Sequence, residues 1–443
     1  MKLTTFVAAL AGGCLATSAM AQSDALAQIA ELRAQLAAVQ AQAGNNTLTE
    51  ERANEIKSIV RDTLADADTR TSLQGGGAMA GYDNGFFMSS ADGNFKLKLG
   101  VLEQVRYVWQ FDNNDTMGFE NRRTQLAFGG NMFDPSWTYN VVFNYSPYDT
   151  QYGEVENTFN LADASITKSM DGGLAITAGQ FRTPFTRATL VGDGKQLMAD
   201  YSPTDYNFTA GYQQGIMGSW SSDMFRAMVS IGNGISETNG NWAGTTANGD
   251  TNADKFNLAV RAEAKLAGSW SQFAKETSFR GEEFGLLVGA AWIDTDGNNG
   301  GSNYDAGADV NNNALTIDAT AFFGGANVSA AYTYANSQAT AGDDAYGLSV
   351  QGGLFVTDGI EAWAGWNYID GKAAVVAGNW VQVGANVYFA KNGCKWTTSV
   401  NIPLNDDGAS GFYDDGAWGM NTTGPVGAET ADTSILTQLQ FMF

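Results

Sequence analysis

The sequence predicts an all-β transmembrane barrel of about 16 antiparallel strands, preceded by a short N-terminal α-helical, coiled-coil segment. Three observations carry that expectation. From Phe95 onward apolar residues recur at every second position, the period of a strand with one apolar face. The connections between these runs alternate between short turns and long polar stretches, as in bacterial barrels. Beyond residue 21 no run of about 18 apolar residues remains, so a membrane crossing requires strands closed on themselves.

Taken in order, Met1-Lys2 is a short positive start, Phe6 to Ala16 is mostly apolar, and Ala19-Met20-Ala21 is a small-residue cleavage site. Residues 1–21 therefore read as a secretory signal peptide. Residues 22–44 are rich in Ala and Gln, and Ile29, Leu32, Leu36 and Val39 follow the 3-4-3 spacing of a short coiled coil. About 20 helical residues span only about 30 Å, which suits a collar or a contact with the cell wall and rules out a long tether. Residues 45–72 read as an amphipathic helix: Thr47 and Glu50 can form a capping box, and Ile56, Val60 and Leu64 share a face. Residues 73–81, with Gly75-Gly76-Gly77, form a flexible linker ahead of a barrel at 82–443.

Within the barrel region, Phe95 to Phe111 places Lys96, Lys98 and Arg106 on one face and Leu97, Leu99, Val101, Val105 and Trp109 on the other. Trp137, Tyr139, Val141, Phe143 and Tyr145 alternate with Thr138, Asn140 and Asn144, and Phe256, Leu258 and Val260 with Asn257, Arg261, Glu263 and Lys265. Asp134-Pro135, Asp171-Gly172-Gly173, Ser221-Ser222-Asp223, Gly324-Gly325, Thr357-Asp358-Gly359 and Asn392-Gly393 read as short turns. The stretch Gly268 to Glu282 breaks this rule, being too long for its place. Aromatic residues gather toward two rims, Tyr107, Trp109, Trp292 and Trp366 toward one and Trp137, Phe323, Trp396 and Phe441 toward the other. Such girdles mark the two headgroup layers. The last strand ends in Leu439, Phe441 and Phe443, the aromatic ending by which barrel-assembly machinery identifies outer-membrane barrels.

Composition excludes several functions. The net charge of −23 argues against nucleic-acid binding. Histidine is absent, which removes the Ser-His base and His-ligated metal sites. Cys394 is the single cysteine beyond residue 21 and reads as an incidental residue in a turn. No cofactor and no enzymatic activity are implied. Asp294-Thr295-Asp296-Gly297-Asn298 alternates oxygen-bearing side chains without the spacing of an EF-hand, so Asp294 and Asp296 are candidate calcium ligands against a plain solvated turn.

Phe119-Glu120-Asn121-Arg122-Arg123-Thr124-Gln125-Leu126-Ala127-Phe128-Gly129-Gly130, followed by Ala178-Gly179-Gln180-Phe181-Arg182-Thr183-Pro184-Phe185, resembles the phosphate-selective porin O/P family. The resemblance implies a 16-stranded, homotrimeric, outer-membrane porin of a two-membrane bacterium, bathed in outer-membrane lipid, whose third external loop folds inward. Here that loop is 183–206, and Arg182, Arg187 and Lys195 with Asp193 and Asp200 would form the constriction. Lumen-facing charges are expected at Lys96, Lys98, Arg106, Arg123, Asp163, Arg261, Glu263 and Lys265, with Glu103 and Asp318 as further acidic candidates. Arg122 and Arg123 are adjacent, so one of the two is expected to face away. Residues 82–443 hold 18 Lys and Arg against 39 Asp and Glu, which departs from the dense basic ladder of phosphate-selective members. The reading is a general diffusion channel for ions and small hydrophilic solutes, weakly selective or cation-preferring. The alternative is a structural or adhesive barrel whose stalk contacts peptidoglycan.

Overall fold

A computed structural model describes residues 31, 33–35, 78–83, 85–111, 117–145, 159–234, 256–296, 312–337, 344–370, 378–404 and 433–443. The chain divides into two units at Gly77/Ala78. Of the first, residues 31 and 33–35 are described and helical. The signal peptide, most of the coiled coil, the second helix and most of the linker lie outside the described residues.

The second unit begins with two short strands, β1 (Met79–Tyr82) and β2 (Phe86–Ser89), then β3 (Lys96–Phe111), β4 (Met117–Met132), β5 (Asp134–Tyr145), β6 (Asn160–Ser169), β7 (Leu174–Arg182), β8 (Tyr212–Ser221) and β9 (Phe225–Gly232). There follow β10 (Phe256–Ala267), β11 (Gly285–Asp296), β12 (Asn312–Phe322), β13 (Ala326–Ser337), β14 (Ala345–Phe355), β15 (Ile360–Asp370), β16 (Gly378–Tyr388), β17 (Cys394–Pro403) and β18 (Thr433–Met442). From β3 to β18 each strand pairs antiparallel with the next, and β18 returns to β3 with Leu436 opposite Val108 and Gln440 opposite Gln104. This is the closed 16-stranded barrel that the alternation predicts.

The pairing settles the faces. Ile216, Val229, Ile231, Ile317, Trp292, Trp366, Trp137 and Trp396 are exposed on the outside, where lipid replaces water. Asn257, Arg261, Gln382, Asn386, Asn401 and Gln440 lie inside and are buried. Glu103 shares the outward face with Val105, opposite Phe441 and Thr124, and accepts from the Thr124 hydroxyl at 2.7 Å. It is not a lumen charge. Cys394 starts β17 rather than lying in a turn.

Two glycines of the family-like segments are required by geometry. At Gly179 φ is +124°, and a Cβ would fall 2.1 Å from the Ala164 carbonyl oxygen; at Gly130 φ is +155°, and a Cβ would fall 1.8 Å from that of Lys96. No other residue fits either place.

The hairpin β1–β2 differs from the expected linker. In its bend the Asp83 N–H donates to the Gly85 carbonyl at 2.9 Å, and β2 pairs with the first residues of β3, from Phe86 opposite Leu99 to Ser89 opposite Lys96. It thereby continues the line of β18, which stops where Phe443 exchanges backbone hydrogen bonds with Val101. The rings of Phe86 and Phe443 meet edge to face at 5.5 Å.

Candidate functional site: the loop-lined lumen

The third long connection, residues 183–211 between β7 and β8, lies inside the barrel. Its neck is fastened where the Thr183 N–H donates to the Gly211 carbonyl at 2.9 Å. The loop contains α1 (Arg187–Leu190), a 3-10 turn (Asp193–Lys195) and α2 (Pro203–Asn207). The sequence Ser202-Pro203-Thr204-Asp205 explains α2. The Ser202 hydroxyl accepts from the Asp205 N–H at 3.0 Å and donates to its carboxylate at 2.6 Å, with proline in the first turn.

The loop lies along one wall. Asn386 of β16, Lys395 of β17, and Gln438 and Gln440 of β18 donate to the carbonyls of Leu197, Gln196, Ala199 and Gly194 at 2.8, 2.7, 3.1 and 2.8 Å. Thr204 donates to the Leu348 carbonyl of β14 at 3.2 Å. Phe185, Leu197, Met198 and Phe208 pack with wall residues such as Ala259, Ile293, Trp363 and Leu436 into an apolar cluster. On the opposite wall, the inward residues Ala127, Asn140, Val142, Asp163 and Ser165 stay partly exposed.

At the loop's middle, two carboxylates meet the arginines of β3 and β4. Arg122 Nε donates to Asp200 at 2.6 Å, Arg123 reaches the same carboxylate at 3.3 Å, and Arg106 lies 3.8 Å from it while also pairing with Glu120. Arg182 donates to Asp193 at 2.8 Å and to the Tyr201 hydroxyl and Thr189 carbonyl at 2.6 Å. Gln125 donates to Asp193 at 2.6 Å, and the Tyr201 hydroxyl also donates to it. Burial opposes charge on Asp193, yet Arg182 and Arg123 hold its carboxyl well below the usual range. Asp200 is likewise lowered, with Arg122, Arg123 and Arg106 outweighing burial. Asp205 has no such cation, and burial pushes it up to about 7.

Arg122 and Arg123 both point inward, against the expectation that one would face away. A bulge accounts for this: Gln104 pairs with Arg123 but Val105 pairs with Asn121, so Arg122 is the extra residue and the alternation is broken there. The expected constriction set is thus partly assembled. Arg182, Asp193 and Asp200 come together, joined by Arg106 and Arg123. Arg187 departs to bond Thr320 at 2.9 Å and the Phe273 carbonyl at 3.0 Å. Lys195 is half-buried, and among the described residues only its backbone is bonded, its carbonyl accepting from the Glu276 N–H.

The other expected charges spread along the lumen. Arg261 is buried against Asp318 at 2.8 Å and Glu263 at 2.9 Å. Lys265 donates to the Gly268 carbonyl at 2.8 Å. Lys96 lies over the Phe87 ring at 4.9 Å, and Lys98 and Asp163 are half-buried. Asp294 is half-buried near the end of β11, which Asp296 closes; no cluster of three candidate metal ligands occurs among the described residues. Leu439 and Phe441 face outward on β18, as does the final Phe443. Sequence reasoning missed Tyr201, Gln104, Gln125 and Glu276. Polar residues on the inner face were expected generally, but nothing local names their partners across the loop.

Residues 95–264 match the family described as "Phosphate-selective porin O and P". No curated protein matches the chain. Among solved structures, the chain is similar to OmpF of Salmonella typhi in complex with daunomycin, with TM-score 0.55, 14% identity, and coverage of 82% of this chain and 100% of that one. It is also similar to a loop L8 deletion mutant of Vibrio cholerae OmpT, with TM-score 0.51, 13% identity and coverage of 79% and 100%. At such identities these structures speak for the fold alone, a porin barrel. Taken with the closed barrel, the infolded loop and the glycine-dependent segments, the match over residues 95–264 makes this chain similar to the phosphate-selective porin O and P family, and the protein is an outer-membrane porin.

Proposed function

We propose that the chain is a general porin of weak selectivity, in which the infolded loop narrows the lumen and solutes pass between it and the β4–β6 wall. One observation carries this reading: the arginines at the constriction already donate to Asp193 and Asp200, or pair with Glu120. A phosphate-selective passage needs guanidinium groups with donors turned to the solute, so phosphate specificity is not carried over. Field lines concentrate in a narrow low-dielectric passage, and near-neutral pairing there leaves ion preference to the entrances. The connection 405–432 holds Asp406, Asp407, Asp414, Asp415, Glu429 and Asp432 and no Lys or Arg, which favours cations on the external side.

The reading includes assembly as a homotrimer, which the family resemblance implies. The test is single-channel conductance of the purified protein in a planar bilayer under a salt gradient. Stepwise conductance in triplets with a small, cation-sided reversal potential is expected. A strongly anion-sided potential would restore phosphate selectivity, and a silent membrane would favour a structural barrel.

A further inference from the structure

The turn between β10 and β11, residues 268–284, sits at the periplasmic rim, where its neighbours are about three residues long. A turn there has water on every side unless it folds inward. This one buries Phe273, Glu276, Thr277, Ser278 and Phe279, with Thr277 and Ser278 fully enclosed. Phe273 stacks on Phe322 of β12 at 5.2 Å, and Phe279 meets Phe355 of β14 and Tyr388 of β16 at 5.6 and 5.1 Å. The Thr277 and Tyr388 hydroxyls bond at 3.0 Å, and the Ser278 hydroxyl accepts from the Gly324 N–H at 3.1 Å. The turn therefore reaches across the mouth from β10 to β16.

Its tip grips the infolded loop from below. The Glu276 N–H donates to the Lys195 carbonyl at 3.0 Å, and the Glu276 carboxylate accepts from the Leu197 N–H at 2.8 Å. Arg187 of the loop reaches the other way, donating to the carbonyls of Phe273 and Lys275 at 3.0 and 3.3 Å. The Lys195, Phe273 and Lys275 carbonyls and the Leu197 and Glu276 N–H groups thus find partners across the two segments, in a region where leaving them unpaired is costly.

We propose that this turn is a second pore-shaping element: it clasps the 183–211 loop against the wall and floors the covered half of the lumen, confining solutes to the β4–β6 side. The proposal rests on the reading of that loop as the constriction. Solute cut-off then depends on both segments, and loosening the turn releases the loop.

The experiment compares conductance and polyethylene-glycol exclusion in four variants whose folding is checked by heat-modifiable gel mobility. In one, residues 188–204 are shortened; in another, residues 270–282 are replaced by a two-residue turn; the others are Glu276→Ala and Glu276→Gln. Shortening the turn should raise conductance about twofold and admit larger polymers. Glu276→Ala should give a smaller rise, and Glu276→Gln should stay near the parent because its amide oxygen still accepts from Leu197. In the loop-shortened channel, Glu276→Ala should add nothing. If the loop variant widens the pore but neither the turn variant nor Glu276→Ala does, the clasp is wrong and the loop reading stands. If the loop variant leaves the pore unchanged, both readings fall. Should the turn-shortened chain fail to fold, the contrast between Glu276→Ala and Glu276→Gln decides alone.

Discussion

The two sides of the lumen share one wall chemistry and have different fates. On β4–β6 the inward residues Asn140, Ser165 and Thr167 are partly exposed; on β15–β18 their counterparts Asn367, Gln382, Thr397 and Ser434 are buried at 1% exposure or less. Both sets are amides and hydroxyls placed by the same alternation of strand residues. The difference comes from the infolded loop, which lays apolar Leu197, Met198 and Phe208 over one side only. That cover carries a cost. Among the described residues, Asn367 Oδ1, Gln382 Nε2 and Ser399 Oγ have no protein hydrogen-bond partner. Such groups cost about 1–3 kcal/mol each unless ordered water meets them. The barrel supplies a generic hydrophilic wall, and the loop covers one half of it; in the proposed reading the open half is the one that conducts.

The largest break in this contrast comes from the loop's two carboxylates. Asp193→Asn with Asp200→Asn leaves Arg106, Arg122, Arg123 and Arg182 with Glu120 as the remaining acidic partner named at the site. Removing one side of a buried ion pair costs about 3–5 kcal/mol. The loop should lift from its wall and the exposed guanidinium groups should draw anions. Reversal potential in a salt gradient should change sign to the anion side while conductance rises. A double variant that keeps the parent's sign would show that the two carboxylates are not what neutralises these arginines in the ion path.

A finer test labels the two walls. Ser165→Cys on β6 and Gln382→Cys on β16 occupy inward positions on the open and covered sides. A charged thiol reagent added to the open channel should block the first quickly. The second should react at least about tenfold more slowly, since about 1.4 kcal/mol of seating energy suffices for that factor. Similar rates would mean the loop spends much of its time off the wall.

How much of this was legible follows from the range of the interactions. Alternation, turn spacing and aromatic rims are local, and they gave 16 strands, the two faces and the inward placement of Arg106, Arg123, Arg261 and Glu263. The placement of Arg122 was not legible, because a one-residue bulge has no local signature here and reverses the expected face. The hairpin β1–β2 hid behind glycines that read as linker. Gly268 to Glu282 stood out by length alone, but length does not say that Glu276 meets Leu197, 79 residues earlier in the chain. The resemblance pointed to the loop at 183–206; in the structure Arg182, Asp193 and Asp200 lie together there, while Arg187 bonds Thr320 and the Lys195 carbonyl meets Glu276.

The smallest effect separates the loop's own titrating groups. Asp205 faces Ser202, with Glu276 and Asp318 near enough to oppose its charge, and burial pushes its carboxyl up to about 7 from 3.8; Glu276 is raised for the same first reason, burial. A carboxyl raised in the seated state binds its proton more tightly there than in a lifted loop. Seating is therefore at full strength below the ordinary carboxylate range and weakens as pH rises through about 7. Asp193 and Asp200 are lowered, so their pairing is lost only as pH falls through their depressed values, below the range that matters here. Of these four carboxyls, Asp205 and Glu276 are the ones to act between pH 8 and pH 5, and conductance should fall modestly as pH drops, with Asp205→Asn reducing that slope. A profile that rises on acidification, or an Asp205→Asn channel that titrates like the parent, would place the pH response outside the loop and leave its seating indifferent to Asp205.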